Sequence, residues 1–110
     1  MKIDLKLPPR TFVIIAETLQ PVYNSKPQTR KERSALSIAI DVAEKLEKTT
    51  RSISKQPTLF DDKKKLKISL KQHEADMLEI ILIQQIAFVI DPYMRIQIQN
   101  TINILNQKLA

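Results

Sequence analysis

Glycine is absent from all 110 residues of this chain, and so is cysteine. Without glycine there is no phosphate-cradling loop and no dinucleotide fingerprint, since both need a residue without Cβ where the backbone meets phosphate. Two-residue hairpin turns with positive φ are disfavoured for the same reason, so the turns must be longer or built on Asn and Pro. Without cysteine there is no disulfide framework and no thiolate zinc site, which fits a reducing, cytoplasmic setting. Histidine occurs once, as His73, beside Glu74 and Asp76 where a helix is expected to begin. No second histidine completes a metal set. The acids mostly sit near lysines in sequence, so no pair of carboxylates tuned apart for acid–base work is visible. His73 reads as a solvated residue at a helix start. No enzyme activity, metal, cofactor or small-molecule substrate is expected.

Long apolar runs are also missing. The longest, Ile80 to Ile90, is interrupted by Gln84 and Gln85 and falls short of the about 20 residues that a bilayer requires. No membrane span is expected. The opening MKIDLKLPPR lacks the apolar centre of a secretory signal.

What is present suits one small globular domain, 1–110. Hydrophobic residues make up 43%, enough for a single core. Eighteen Lys and Arg against twelve Asp and Glu leave a net charge of +6. Such a balance favours a polyanionic partner, although it also serves solubility alone.

Hydrophobic periodicity organises the chain. Ile3, Leu5 and Leu7 alternate with Lys2, Asp4 and Lys6, the pattern of a half-buried strand. Pro8 and Pro9 stop it, and Phe12, Ile15, Ala16 and Leu19 then follow at helical spacing up to Pro21. Two capping boxes compete before the next helix, Ser25 with Gln28 and Thr29 with Glu32. That helix is predicted to run to about Thr50, with Leu36, Ala39, Ile40, Ala43 and Leu46 inward and Glu44 paired with Lys48. Residues 51–65, with Pro57 and a lysine run, read as a linker. Leu66 to Lys71 alternates again, with Ile68 and Leu70 inward and Lys67, Ser69 and Lys71 outward. A helix from Gln72 to Ile90 follows, broken at Asp91-Pro92 because a residue before proline avoids the helical region. The last helix, from about Tyr93 to Lys108, carries the stripe Ile98, Ile102, Leu105 and Leu109. The predicted fold is mostly α: four helices with a small two-stranded antiparallel ribbon, in the order β-α-α-β-α-α.

The two strands match each other. Lys2-Ile3-Asp4-Leu5-Lys6 aligns with Lys67-Ile68-Ser69-Leu70-Lys71. If they pair antiparallel, Lys2, Lys6, Lys67 and Lys71 share one exposed face with Asp4 and Ser69. With MKIDLKLPPRTF and LKISLKQHEADML each running from an alternating strand into a helix, about two thirds of the chain resembles the ribbon-helix-helix family. That family lays a two-stranded ribbon in the DNA major groove, and the resemblance implies the same here with both units in one chain. The chain departs from the family in its longer, proline-bearing turns and in a longer, more apolar third helix. An ordinary lysine-rich solvent face that blunts edge pairing is the alternative.

Three further features bear on partners. Lys26, Arg30, Lys31 and Arg33 gather at the start of the long helix, where cations oppose the helix dipole and an anionic partner would relieve them. Gln56-Pro57-Thr58-Leu59-Phe60 resembles the short peptide by which bacterial replication proteins dock on the sliding clamp, and the same Leu59 and Phe60 also suit packing on the chain's own core. The last helix carries Gln97, Gln99, Asn100, Asn103, Asn106 and Gln107 with few charges, the mark of a covered face. Since the third helix is apolar nearly all round, self-association or a protein partner is expected, through Gln56, Leu59, Phe60, Ile86, Phe88, Ile98, Ile102 and Leu105. The nucleic-acid contacts are expected at Lys2, Lys6, Lys67, Lys71, Lys26, Arg30 and Arg33. The leading expectation is a non-enzymatic nucleic-acid-associated binding protein; the alternative is an adaptor in a larger assembly, acting through helical contacts.

Overall fold

The computed structural model describes residues 2–54 and 65–110. The elements are β1 (Lys2–Leu7), α1 (Pro9–Thr18), a 3-10 turn (Gln20–Asn24), α2 (Arg30–Ser54), β2 (Leu66–Lys71), α3 (Gln72–Gln85), a second 3-10 turn (Ile86–Phe88) and α4 (Pro92–Leu109). The order is β-α-α-β-α-α, and the two strands form one antiparallel sheet, as the sequence predicts.

The register pairs Lys2 with Lys71, Ile3 with Leu70, Asp4 with Ser69, Leu5 with Ile68, Lys6 with Lys67 and Leu7 with Leu66. Ile3, Leu5 and Leu70 are buried and Ile68 is half-buried, so one face of the ribbon lies on the core. Beneath it, Phe12 and Ile15 of α1 and Leu19 just after it lie with Val42 and Leu46 of α2, Leu78 and Leu82 of α3, and Ile98 and Leu105 of α4, all fully buried. Each such side chain contributes about 1.5–3 kcal/mol by leaving water. Helix α1 packs on α2 and α3 on α4, while α2 also meets α3 and α1 meets α4.

The helix boundaries follow local chemistry. Thr29 and Glu32 win the competition to cap α2: the Glu32 N–H donates to Thr29 Oγ1 (3.1 Å), and Glu32 Oε2 accepts from Gln28 N (2.7 Å) and Thr29 N (3.3 Å). Pro21 opens the first 3-10 turn near its start, where a missing N–H costs nothing. Helix α2 extends to Ser54, taking the first four residues of the predicted linker. Helix α3 ends at Gln85 rather than Ile90, because the chain must reach an extended conformation at Val89 and Asp91 ahead of Pro92. Asp91 then caps α4, its Oδ1 accepting from Met94 N at 3.0 Å. The expected pair of Glu44 with Lys48 does not form. The i,i+4 pair observed on α2 is Glu47 with Arg51, 3.6 Å apart.

One group of expected interface residues is corrected. Ile98, Ile102 and Leu105 lie in the chain's own core, at 0%, 8% and 0% exposure. Helix α4 turns that stripe inward against the rest of the bundle, so it offers nothing to a partner. No helix among the described residues is long and apolar enough to cross a membrane.

Candidate nucleic-acid interface

The outer face of the ribbon is built by the two-residue period. Lys2, Asp4 and Lys6 of β1 and Lys67, Ser69 and Lys71 of β2 are all exposed. The register sets Lys2 directly opposite Lys71 and Lys6 directly opposite Lys67. Like charges in that position destabilise a two-stranded sheet. Among the described residues, none of the four lysines makes an ion pair with an acid. Between the two lysine pairs, Ser69 Oγ donates a 2.7 Å hydrogen bond to Asp4 Oδ1. That bond holds the Asp4 carboxyl below its ordinary value against desolvation, the next largest effect, with weaker help from the charges of Lys67, Lys108 and Lys6.

Asp4 and Ser69 are also equivalent positions in the strand repeat, 65 residues apart. A pair made of one position and its own repeat lies on the local two-fold axis of the ribbon. The Lys2–Lys71 pair at one end is therefore the counterpart of the Lys67–Lys6 pair at the other. Three residues of each strand lie between the two pairs, which stand roughly 13 Å apart along the ribbon at 3.3 Å per residue.

Other side chains border the ribbon. A groove beside β1 is lined by Lys6 and Lys65 on one side and by Asn100, Asn103 and Gln107 of α4 on the other. Gln97 is occupied within the fold, where Thr11 Oγ1 donates to its Oε1 at 2.9 Å. A second groove, beside β2, has an apolar floor of Ile53, Leu66 and Ile68 and a rim of Lys45, Lys48 and Lys67. Lys108 is near enough to act on Asp4. Lys48, Lys65 and Lys108 thus join the basic surface, although the sequence reading did not place them there. The signal for Lys108 was available: Asp91-Pro92 makes α3 and α4 a hairpin, so α4 must return toward the strand that α3 leaves.

The structure does not bring Lys26, Arg30 and Arg33 to this surface. All three are exposed, but Arg30 begins α2 and Lys48 sits about 27 Å further along it. His73 is exposed at the start of α3, and among the described residues no group of three His, Cys, Asp or Glu is placed to hold a metal. Of the other expected interface residues, Phe88 is 77% exposed and Ile86 is half-buried. Gln56, Leu59 and Phe60 lie outside the described residues.

No protein-family model, no curated protein and no solved structure matches this chain.

Proposed function

We propose that this chain is a non-enzymatic, nucleic-acid-associated binding protein whose ribbon lies against double-stranded DNA. One observation carries this reading: four exposed lysines stand as two directly opposed pairs on the outer face of a two-stranded sheet. That arrangement costs stability in the free chain, and a row of phosphates relieves it. The antiparallel pairing of two strand–helix units supports the likeness to ribbon-helix-helix proteins. Lys65, Lys48 and Lys108 widen the positive surface around the ribbon. The amides of Asn100, Asn103 and Gln107 border it with groups able to bond base edges or sugar.

The test is a titration with duplex DNA at several salt concentrations. Neutralising about four phosphates gives a slope of log K against log salt near −3.6. Undetectable binding at low salt rejects the reading.

The adaptor reading draws on a different observation, the exposed Phe88 and Ile90 at the junction of α3 and α4. It concerns another face of the molecule and does not compete for the ribbon.

A further inference from the structure

We propose that the amide row of α4 reads adenine edges in the DNA major groove, giving the chain a sequence preference that its lysines cannot supply. The inference rests on the reading of the ribbon as the face that lies against duplex DNA.

Two contacts lay α4 along the edge of the ribbon. Near one end, Thr11 Oγ1 donates to Gln97 Oε1 at 2.9 Å. Near the other, the charge of Lys108 reaches the Asp4 carboxyl. From Gln97 to Lys108 the helix therefore passes back beside β1, from beyond its end to its middle. The groove between them has Lys6 and Lys65 on the strand side and Asn100, Asn103 and Gln107 on the helix side. Lys6 also stands in one of the opposed lysine pairs of the outer face. The groove is thus continuous with that face, and a duplex held there meets the amide row next. No Asp or Glu lines the groove, and α4 contains none to repel phosphate.

The chemistry of the row differs from that of the ribbon. A lysine only donates, and any phosphate accepts from it, so the four ribbon lysines carry little sequence information. A carboxamide donates and accepts at once, and it matches the N6 amino group and N7 of adenine in a bidentate pair. Not every amide is available. Gln97 is taken by Thr11, and Asn103 Oδ1 accepts from Gln99 Nε2 at 3.0 Å. Asn100 and Gln107 are exposed, and their side chains make no hydrogen bond among the described residues. They lie on one face of the helix, about 10 Å apart along it. They can address separate base pairs, which stack about 3.4 Å apart.

The test compares an alternating adenine–thymine duplex with the same duplex carrying 7-deazaadenine. That base keeps its pairing and its N6 amino group but has no N7 acceptor. The full chain should bind the 7-deaza duplex about tenfold more weakly, the worth of one bidentate contact. Its salt dependence should be the same on both, because the phosphates are unchanged. The double variant Asn100→Ala with Gln107→Ala should bind the two duplexes equally and keep the parent's salt slope. Its helical circular dichroism should not change, since both side chains are exposed. A parent chain that binds both duplexes equally, or a double variant that still tells them apart, overturns the inference and leaves the ribbon reading standing. A parent chain that binds neither duplex at low salt overturns both.

Discussion

Lys45 of α2 places its ammonium 2.8 Å from both carboxylate oxygens of Glu74, at the start of α3. The Glu74 side chain is 6% exposed, and its Oε1 also accepts from the Lys71 N–H at 2.8 Å. One carboxylate therefore ties α2 to the last residue of β2 and the first turn of α3. Its position near the N-terminus of α3 also suits the helix dipole. Through this joint the ribbon is fixed against the helices, so the face that carries the lysines is held by a contact beneath it.

The first prediction concerns pH. Burial alone pushes the Glu74 carboxyl up. The bonds from Lys45 and from the Lys71 N–H, with the charges of Lys45 and His73, outweigh it and leave the group below its ordinary 4.5. A group lowered in the folded state stabilises the fold above its unfolded value and loses that contribution as pH falls through the folded one. Stability should thus decline from near pH 4.5 downward in part through Glu74. Glu74→Gln should cost about 1–3 kcal/mol at neutral pH, and the gap to the parent chain should narrow in acid. Urea melts at neutral and acid pH check this, and a gap that stays constant contradicts it.

The second prediction concerns the ribbon. Replacing Lys2, Lys6, Lys67 and Lys71 together with alanine should flatten the salt dependence of DNA binding by about 1 in slope per lysine. The fold should survive, because all four side chains are exposed. Replacing Lys26, Arg30 and Arg33 instead should change the slope less, since they lie before or at the far end of α2 from the ribbon. Equal losses from the two variants would place the DNA contact elsewhere.

Much of the fold is legible in the sequence because its strands and helices differ sharply in period. The alternation of Lys2–Leu7 and Leu66–Lys71 is enough to predict the pairing, the register's buried face and the lysine face. The long helix is less clear. Its stripe includes Val42, at 0% exposure, which the eye passes over beside Leu36 and Ile40, both half-buried. The last helix misleads in another way. Its amide-rich residues point to a covered surface, but the apolar stripe opposite them belongs to the chain's own core. A sequence stripe shows that residues are buried, not which chain buries them. The exposed junction of α3 and α4 is legible only in part, since the contrast between Leu82 at 0% and Ile83 at 52% depends on which neighbours the bundle supplies.

The third prediction follows from that correction. Leu105→Ala should destabilise the single chain by about 2–5 kcal/mol, the range for a buried leucine that leaves a cavity. It should leave the mass of the folded species unchanged. Denaturant melts beside light scattering separate the two effects. A variant of full stability with altered association would return Leu105 to an interface.

The last prediction sets stability against binding at one position. Lys67 faces Lys6 across the ribbon, and neither meets an acid among the described residues. Lys67→Glu turns a like-charge pair into an opposite-charge pair on an exposed antiparallel sheet, where such pairs are worth roughly 0.2–1 kcal/mol. The new carboxylate also replaces the cation that acts most strongly on Asp4, and its repulsion of that carboxylate offsets part of the gain. The variant should therefore melt within about 1 kcal/mol of the parent chain. On DNA the same change removes one phosphate contact and adds a repulsion, so affinity should fall well below that of Lys67→Ala. A lysine kept only for solubility gives no such loss of affinity, because glutamate at that place keeps the surface charged. Thermal melts and DNA titrations of Lys67→Glu and Lys67→Ala decide the matter. A glutamate variant that keeps its fold and still binds DNA like the parent removes Lys67 from the interface.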